Sequence, residues 1–350
     1  MRQRILCSFF LLLLPLFSFA QFEYFNSQQF WNKLQLHRAD ETPDIHATDT
    51  VIIVASNRVR DTSTFRYLPE ERDPGHIRYF IVYTGNGKWN VQPVSSLKQA
   101  VSLMPDKNKD WVVYTEGMGK FFTSDVDRGM SMTGQYDVNV IMFDYPSLTA
   151  HRKQTGNYFF AKKNATVAYN DFVPVLDTIQ MMQNNHQLGT EGVNLFFHSM
   201  GNIVMQQIIK RGKLPQINET QWVNNLILNA ACIPQRGHKK LLDQIKFAKN
   251  IYINYNPGDY TLAGAYFMSK RYQLGKQVRK PLSKKATYIN FETIAGKSHS
   301  NFLNLTGRNE IPDAAFQYYN TILHGDTVAV HDTRHYQPTT YRGIGYDLLP

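Results

Sequence analysis

Residues 194–202 read "NLFFHSMGN": an apolar run ends in a histidine and a serine, and a glycine follows two positions after the serine. Beyond it, Ile203, Val204, Ile208 and Ile209 recur at helical spacing. The pattern therefore changes from strand to helix across Ser199. A serine at such a turn is held in a strained backbone conformation with its hydroxyl exposed, and the helix start behind it offers backbone N–H groups to an anion. Close approach of strand and helix asks for small residues two before and two after the serine. Gly201 meets the second requirement and Phe197 does not meet the first. His198 reads as structural, because adjacent residues at a strand end point in opposite directions.

A serine hydroxyl is a weak nucleophile. Acyl transfer needs a base within hydrogen-bond reach, a carboxylate to orient that base, and donors for the developing oxyanion. The run "NIYINYN" (250–256) leads into "PGDYTL" (257–262), which puts Asp259 just past a strand end. The same aspartate also suits the N-cap of a helix starting near Thr261. The next run, "TYINFET" (287–293), is followed by "IAGKSHSNFL" (294–303), where His299 lies in a loop and fits a general base. Each residue alone has an ordinary structural reading. Together they follow separate apolar runs in the chain order serine, aspartate, histidine, which is the α/β-hydrolase order. Met200, at the helix start, is the expected backbone donor to an oxyanion.

Outward from this centre, short β-rich runs alternate with helical patterns. The other runs are "TVIIVAS" (50–56), "IRYFIVYTG" (77–85), "DWVVYTEG" (110–117), "VNVIMFDYP" (138–146), "VNLFFH" (193–198) and "VNNLILNAA" (223–231), which makes eight expected strands. Several are nearly continuous in Val, Ile and Leu, as strands covered on both faces are. Helices are expected over 120–130, 165–185, 200–211, 239–248, 261–271 and 312–323, and no helix separates the first two runs, which suits an antiparallel edge. The fold class is α/β, a mostly parallel eight-stranded sheet with helices on both faces. No repeat or low-complexity linker divides the chain. The expected organisation is a signal peptide over 1–20, a lead-in over 21–49 with a short helix near 27–37, one α/β-hydrolase domain over 50–324, and an irregular tail over 325–350.

The elements "HSMGN", "PGDYTL" and "SHSNF", with Asn57-Arg58 after the first strand and Tyr145-Pro146-Ser147 in "IMFDYPS", resemble the DUF900 branch of α/β-hydrolases. The likeness runs from about Val51 to about Leu323. It implies an esterase-like or amidase-like serine hydrolase using Ser199, Asp259 and His299, with no cofactor, and says little of substrate. Where relatives carry His-Gly after the third strand, this chain has Glu116-Gly117. The second oxyanion donor would then be the Met118 backbone N–H, with Gly119 beside it. A carboxylate at 116 pointing inward would repel an oxyanion or shift the catalytic histidine; turned to solvent or to a loop N–H it would be harmless. Phe197, the other departure, would form an acyl-pocket wall or reshape the turn.

The N-terminal "MRQRILCSFFLLLLPLFSFA" joins two arginines, an apolar run and a small-residue ending, the pattern of a secretory signal peptide cleaved after Ala20. The expected address is periplasmic or extracellular. Cleavage would remove Cys7 and leave Cys232 as the only cysteine, so no intramolecular disulfide is expected; Cys232 reads as a buried small hydrophobe. The formal charge of +10 would fall to +8 without Arg2 and Arg4. Export argues against nucleic acid as partner. Much of the excess lies in residues 269–285, where Lys270, Arg271, Lys276, Arg279, Lys280, Lys284 and Lys285 occur without an acid. That run is either a solvated face or a contact for an anionic surface or polymer. A catalytically silent binder of that kind, or an acyltransferase with the same triad, is the alternative to an ester hydrolase acting on a small-molecule or lipid-like ester. Tyr169 and Asp171 are expected at the surface or crevice rim. His331 and His335 have a chelating spacing only if the tail is helical, which its pattern does not support, so no metal site is expected.

Overall fold

The computed structural model describes residues 31–63, 66–85, 87–305 and 310–350. The expected signal peptide lies outside the described residues. The chain builds one mixed sheet of twelve strands: β1 (Leu34–Leu36), β2 (Val51–Ser56), β3 (Arg78–Gly85), β4 (Lys88–Val94), β5 (Trp111–Thr115), β6 (Asn139–Asp144), β7 (Val193–His198), β8 (Val223–Asn229), β9 (Ala248–Tyr255), β10 (Ala286–Asn290), β11 (Tyr336–Pro338) and β12 (Tyr346–Leu348). Their spatial order is β1-β4-β3-β2-β6-β5-β7-β8-β9-β10-β12-β11. The stretch from β2 through β6, β5, β7, β8, β9 and β10 is parallel throughout.

The expected count of eight strands is therefore corrected to twelve. All eight expected runs form strands, and β1, β4, β11 and β12 extend the sheet at its two sides. Three of the additions are only three residues long, too short for periodicity to register. The fourth, "KWNVQPV", is polar at alternate positions and contains Pro93. Two of the short strands lie in the tail expected to be irregular, where β12 pairs in parallel with β10 and carries β11 beside it. In the lead-in, Leu34–Leu36 is a strand against β4 where a helix was expected. β2 and β3 are antiparallel as expected, but they are internal to the sheet: β3 and β4 continue outward as an antiparallel meander.

Strand β5 explains the layering. Its five residues are all buried, and alternate side chains enter different apolar clusters: Trp111 and Val113 on one face, Val112 and Tyr114 on the other. The first face is covered by the helices Gln154–Asn184 and Gly201–Lys210, which contribute Phe172, Leu176, Val204 and Ile208. The second is covered by Phe122–Tyr136 and Asp313–Leu323, which contribute Val126, Met130, Tyr318 and Ile322. Completely buried Val and Ile side chains contribute about 1.5–3 kcal/mol each, so a strand such as "VIIVAS" is held by its own burial.

Chain direction reverses across the sheet at β5. From β5 the chain crosses by Phe122–Tyr136 to β6, then by the long helix Gln154–Asn184 to β7 on the other side of β5, and from there steps onward through β8, β9 and β10. The loops leaving β5 and β7 thus part company at the carboxyl edge. In open α/β sheets that parting opens a crevice, the usual place for a ligand. Among the described residues no helix is long and apolar enough to cross a membrane.

Candidate active site

Where the loops leaving β5 and β7 diverge stands Ser199, which follows β7 directly and has φ +51°, the left-handed region that a residue with a Cβ rarely adopts. Hydrogen bonds hold it there. The Ser199 N–H donates to Asn229 O at 3.0 Å and Ser199 O accepts from Cys232 N–H at 3.0 Å. The Asn202 amide, at the second residue of the helix, donates to Phe197 O, Ser199 O and Asn229 O at 2.8, 3.1 and 3.2 Å. Strain at the serine is thus met by a net of bonds to both sides. Asn202 and Asn229 carried no signal in the sequence, because a lone asparagine declares no partner.

Two glycines make the close approach. A Cβ on Gly201 would lie 2.4 Å from Thr115 O, and one on Gly117 would lie 2.6 Å from Ser199 Cβ and 3.0 Å from Met200 N. Helix, β5 loop and serine meet only because both positions lack side chains. Phe197 does not enter this contact. It is fully buried in the same apolar cluster as Val204 and Met205, so it is a core residue and neither an acyl-pocket wall nor a distortion of the turn.

His299 reaches the serine from the loop after β10. Its Nε2 is 2.9 Å from Ser199 Oγ and its Nδ1 is 2.6 Å from Asp259 Oδ2. Asp259 is fully buried and its other oxygen accepts the Leu262 N–H at 2.9 Å. The two sequence readings of Asp259 are therefore compatible: one oxygen caps the helix Tyr260–Ser269 and the other faces the imidazole. Asn256 ties the two loops together, donating to Gly296 O at 3.0 Å and Ser298 O at 2.9 Å while its side-chain oxygen accepts Gly258 N–H at 2.8 Å. Ser199 is 7% exposed and the His299 side chain 16%, so exposure along the path rises from the fully buried Asp259 and is greatest at the imidazole.

Glu116 turns inward, and the inward position is accommodated. It accepts from Tyr114 OH at 2.5 Å and from the Gly117 N–H at 2.7 Å, with Arg128 Nε at 3.8 Å and His198 Nε2 at 3.6 Å. Burial opposes its ionisation, yet His198, Lys120, Arg128 and the Gly117 N–H together hold the carboxyl well below its ordinary range. Burial pushes the His198 imidazole well below its own ordinary value, further than Glu116 raises it. A neutral ring leaves Arg128 and Lys120 as the cations that keep Glu116 charged. His198 packs against His299 with ring centroids 4.8 Å apart and against Phe302 at the same distance. It backs the His299 ring and does not replace it.

The Gly117 N–H is spent on Glu116, and among the described residues no hydrogen bond takes the N–H of Met118 or Met200. The loop carrying Met118 is anchored at its next two residues, where Gly119 N–H donates to Ser147 O at 3.1 Å and Lys120 N–H to Ser147 Oγ at 3.0 Å. Arg58 lies beneath that loop, completely buried, with Nε on both Asp144 oxygens at 2.8 and 2.9 Å and Nη2 on Lys120 O and Tyr145 O at 3.2 and 3.0 Å. The Asn57-Arg58 and Tyr145-Pro146-Ser147 elements are thus supports of the loop.

Residues 95–307 match the sequence profile of a family described as an alpha/beta hydrolase of unknown function, DUF900. The chain belongs to this family. Neither a curated protein nor a solved structure matches it at a significant level. The matched span of this hydrolase contains Glu116, Ser199, Asp259 and His299.

Other expected positions fall elsewhere. Asp171 is not at the rim: it is buried, paired with Arg72 at 2.7 and 2.9 Å, and accepts Asn57 Nδ2 at 2.7 Å. Cys232 is buried and its thiol is pushed up to about 12 by burial. His331 and His335 lie in turns, and among the described residues no group of His, Cys, Asp and Glu could hold a metal ion. The basic run does not form one patch. Lys276 Nζ points inward to Pro257 O and Asp259 O, and Lys285 Nζ binds Asp243 O and Ile245 O near the amino end of β9. Lys270, Arg271, Arg279, Lys280 and Lys284 are exposed.

Proposed function

We propose that this α/β-hydrolase is an exported serine hydrolase that cleaves a carboxylic ester through an acyl-enzyme. Ser199 is the nucleophile, His299 the general base and then acid, and Asp259 the carboxylate that fixes the imidazole. The observation that carries the reading is the unbroken path of hydrogen bonds from Ser199 Oγ through His299 to Asp259, at 2.9 and 2.6 Å. In acylation, Oγ bonds to the substrate carbonyl carbon while its proton passes to His299 Nε2. The carbonyl oxygen takes the negative charge beside the Met118 and Met200 N–H groups. Collapse breaks the bond to the alcohol oxygen, which leaves with the proton from His299. Water, deprotonated by the same imidazole, then attacks the acyl-enzyme carbonyl, the bond from carbon to Oγ breaks, and the imidazolium returns the proton to Oγ, releasing the acid and restoring Ser199.

A fluorophosphonate probe reports this chemistry directly. The folded protein is expected to label at Ser199, and Ser199→Ala to lose both the label and short-chain ester hydrolysis by about 10⁴-fold or more, with an unchanged melting curve. Labelling of Ser199→Ala at the native rate would overturn the assignment. Export is supported by the reading of residues 1–20, and N-terminal sequencing of the mature protein is expected to start at Gln21.

A further inference from the structure

The helix Tyr260–Ser269 begins at Asp259 and carries no charged residue, yet only Leu262 and Ala265 of it are buried. The chain leaves the carboxyl edge of the sheet at Asp259 and returns to it at Leu274 and Gly275, whose N–H groups donate to Ile233 O and Ala231 O just past β8. The whole excursion therefore stands on the side of the sheet where the serine opens. Three of the six large hydrophobic side chains exposed among the described residues lie within it: Tyr260 at 54%, Phe267 at 67% and Tyr272 at 43%. Scattered single exposures are ordinary, but three in one short segment, on the side of the sheet that carries Ser199, mark an interaction surface.

Each of these rings has a cation over it. Lys297 Nζ is 4.9 Å from the Tyr260 centroid, Lys270 Nζ 6.0 Å from Phe267, and the Arg279 guanidinium carbon 5.7 Å from Tyr272. Lys297 stands two residues before His299, and residues 260–285 contain no acid. Tyrosines and cations at headgroup level, with a phenylalanine reaching further, are the composition of a surface that rests in a bilayer interface. A second copy of the chain is a poor occupant, since a two-fold contact would set this cationic patch against itself.

We propose that the outward face of Tyr260–Ser269, with Tyr272, seats the protein on an anionic phospholipid bilayer and so presents lipid esters to Ser199. The substrate half rests on the ester-hydrolase reading above, whereas the docking half does not.

Co-sedimentation of the full mature chain with phosphatidylcholine vesicles, with and without phosphatidylglycerol, separates the two halves when run on Ser199→Ala. The expected result is binding that requires phosphatidylglycerol and weakens with added salt. Lys270→Gln is expected to weaken it about fivefold and Phe267→Ser about tenfold. Both side chains are exposed, so the circular dichroism of these variants and their turnover of a soluble short-chain ester, measured with Ser199 intact, stay unchanged. Equal binding to neutral vesicles, no binding at all, indifference to both substitutions, or self-association abolished by Phe267→Ser without vesicle binding would each overturn the docking surface. Vesicle binding by a protein that hydrolyses no ester would leave the docking standing and remove only the substrate.

Discussion

Strand β5 is bracketed by two buried carboxyls that folding treats in opposite ways. Asp110, just before it, is 8% exposed, and Glu116, just after it, is 2% exposed. Burial drives the Asp110 carboxyl up to about 6, relieved only by the Gly192 N–H and the more distant His324, and reinforced by Glu191 and Asp326. The same penalty acts on Glu116, but there Arg128, Lys120, the Gly117 N–H and the Tyr114 hydroxyl reverse it. Depth in the fold does not decide charge; the partners supplied at that depth do. At the carboxyl edge the chain supplies them in quantity, because that is where loops are braced around the serine. At the amino edge a carboxyl is left to titrate.

The largest test of this contrast lies at the carboxyl edge with Asp259→Asn. The amide keeps the size and can still accept the Leu262 N–H, so the helix cap survives. On the proposed mechanism it can no longer hold His299 in the tautomer that takes the serine proton. Ester hydrolysis should fall about 10³–10⁴-fold while the thermal midpoint moves little. A variant that kept native kcat/KM would break the assignment of the carboxylate.

Glu116→Gln is expected to act the other way round. It leaves Arg128, which is itself buried, facing an amide, and a broken buried pair costs about 3 kcal/mol. The midpoint of urea unfolding should drop accordingly, with a smaller fall in rate as the loop carrying Met118 loosens. A large rate loss at unchanged stability would mean that Glu116 acts on the chemistry directly and is more than a brace.

The contrast also explains what was legible in the sequence. Ser199, Asp259 and His299 were readable because each follows its own apolar run, and the order of runs along the chain is the order of strands across β7, β9 and β10. What was missing is whatever depends on contacts between distant segments. The Asn202 amide and the Asn229 backbone carbonyl fix the serine across 27 positions of chain, and the Asn256 amide ties the loops of Asp259 and His299 across 40, partners that nothing in the local sequence announces. Asp171 read as a rim residue because it lies off the apolar stripe of its helix, while its partner Arg72 lies in the loop between β2 and β3. Glu116 was ambiguous for the same reason: Arg128 sits one helix away and its sign of action is fixed only by the fold.

Asp110→Asn tests the amino edge, with the smallest effect. The folded carboxyl titrates at about 6 against an ordinary value of 3.8, so the native state holds this proton more tightly than the unfolded chain does. Its contribution to stability is fully present below 3.8 and is lost as pH rises through about 6. Above that range the protein carries a poorly partnered buried charge. Asparagine keeps an acceptor for the Gly192 N–H, 3.2 Å away in the native protein, and cannot ionise. Urea unfolding at a series of pH values should therefore show the variant gaining on the native protein from pH 4 to 7, by about 2–3 kcal/mol, with no change in ester hydrolysis. A gap that stayed flat across that range would mean that Asp110 finds solvent or a cation, and the two ends of β5 would then differ in degree and not in kind.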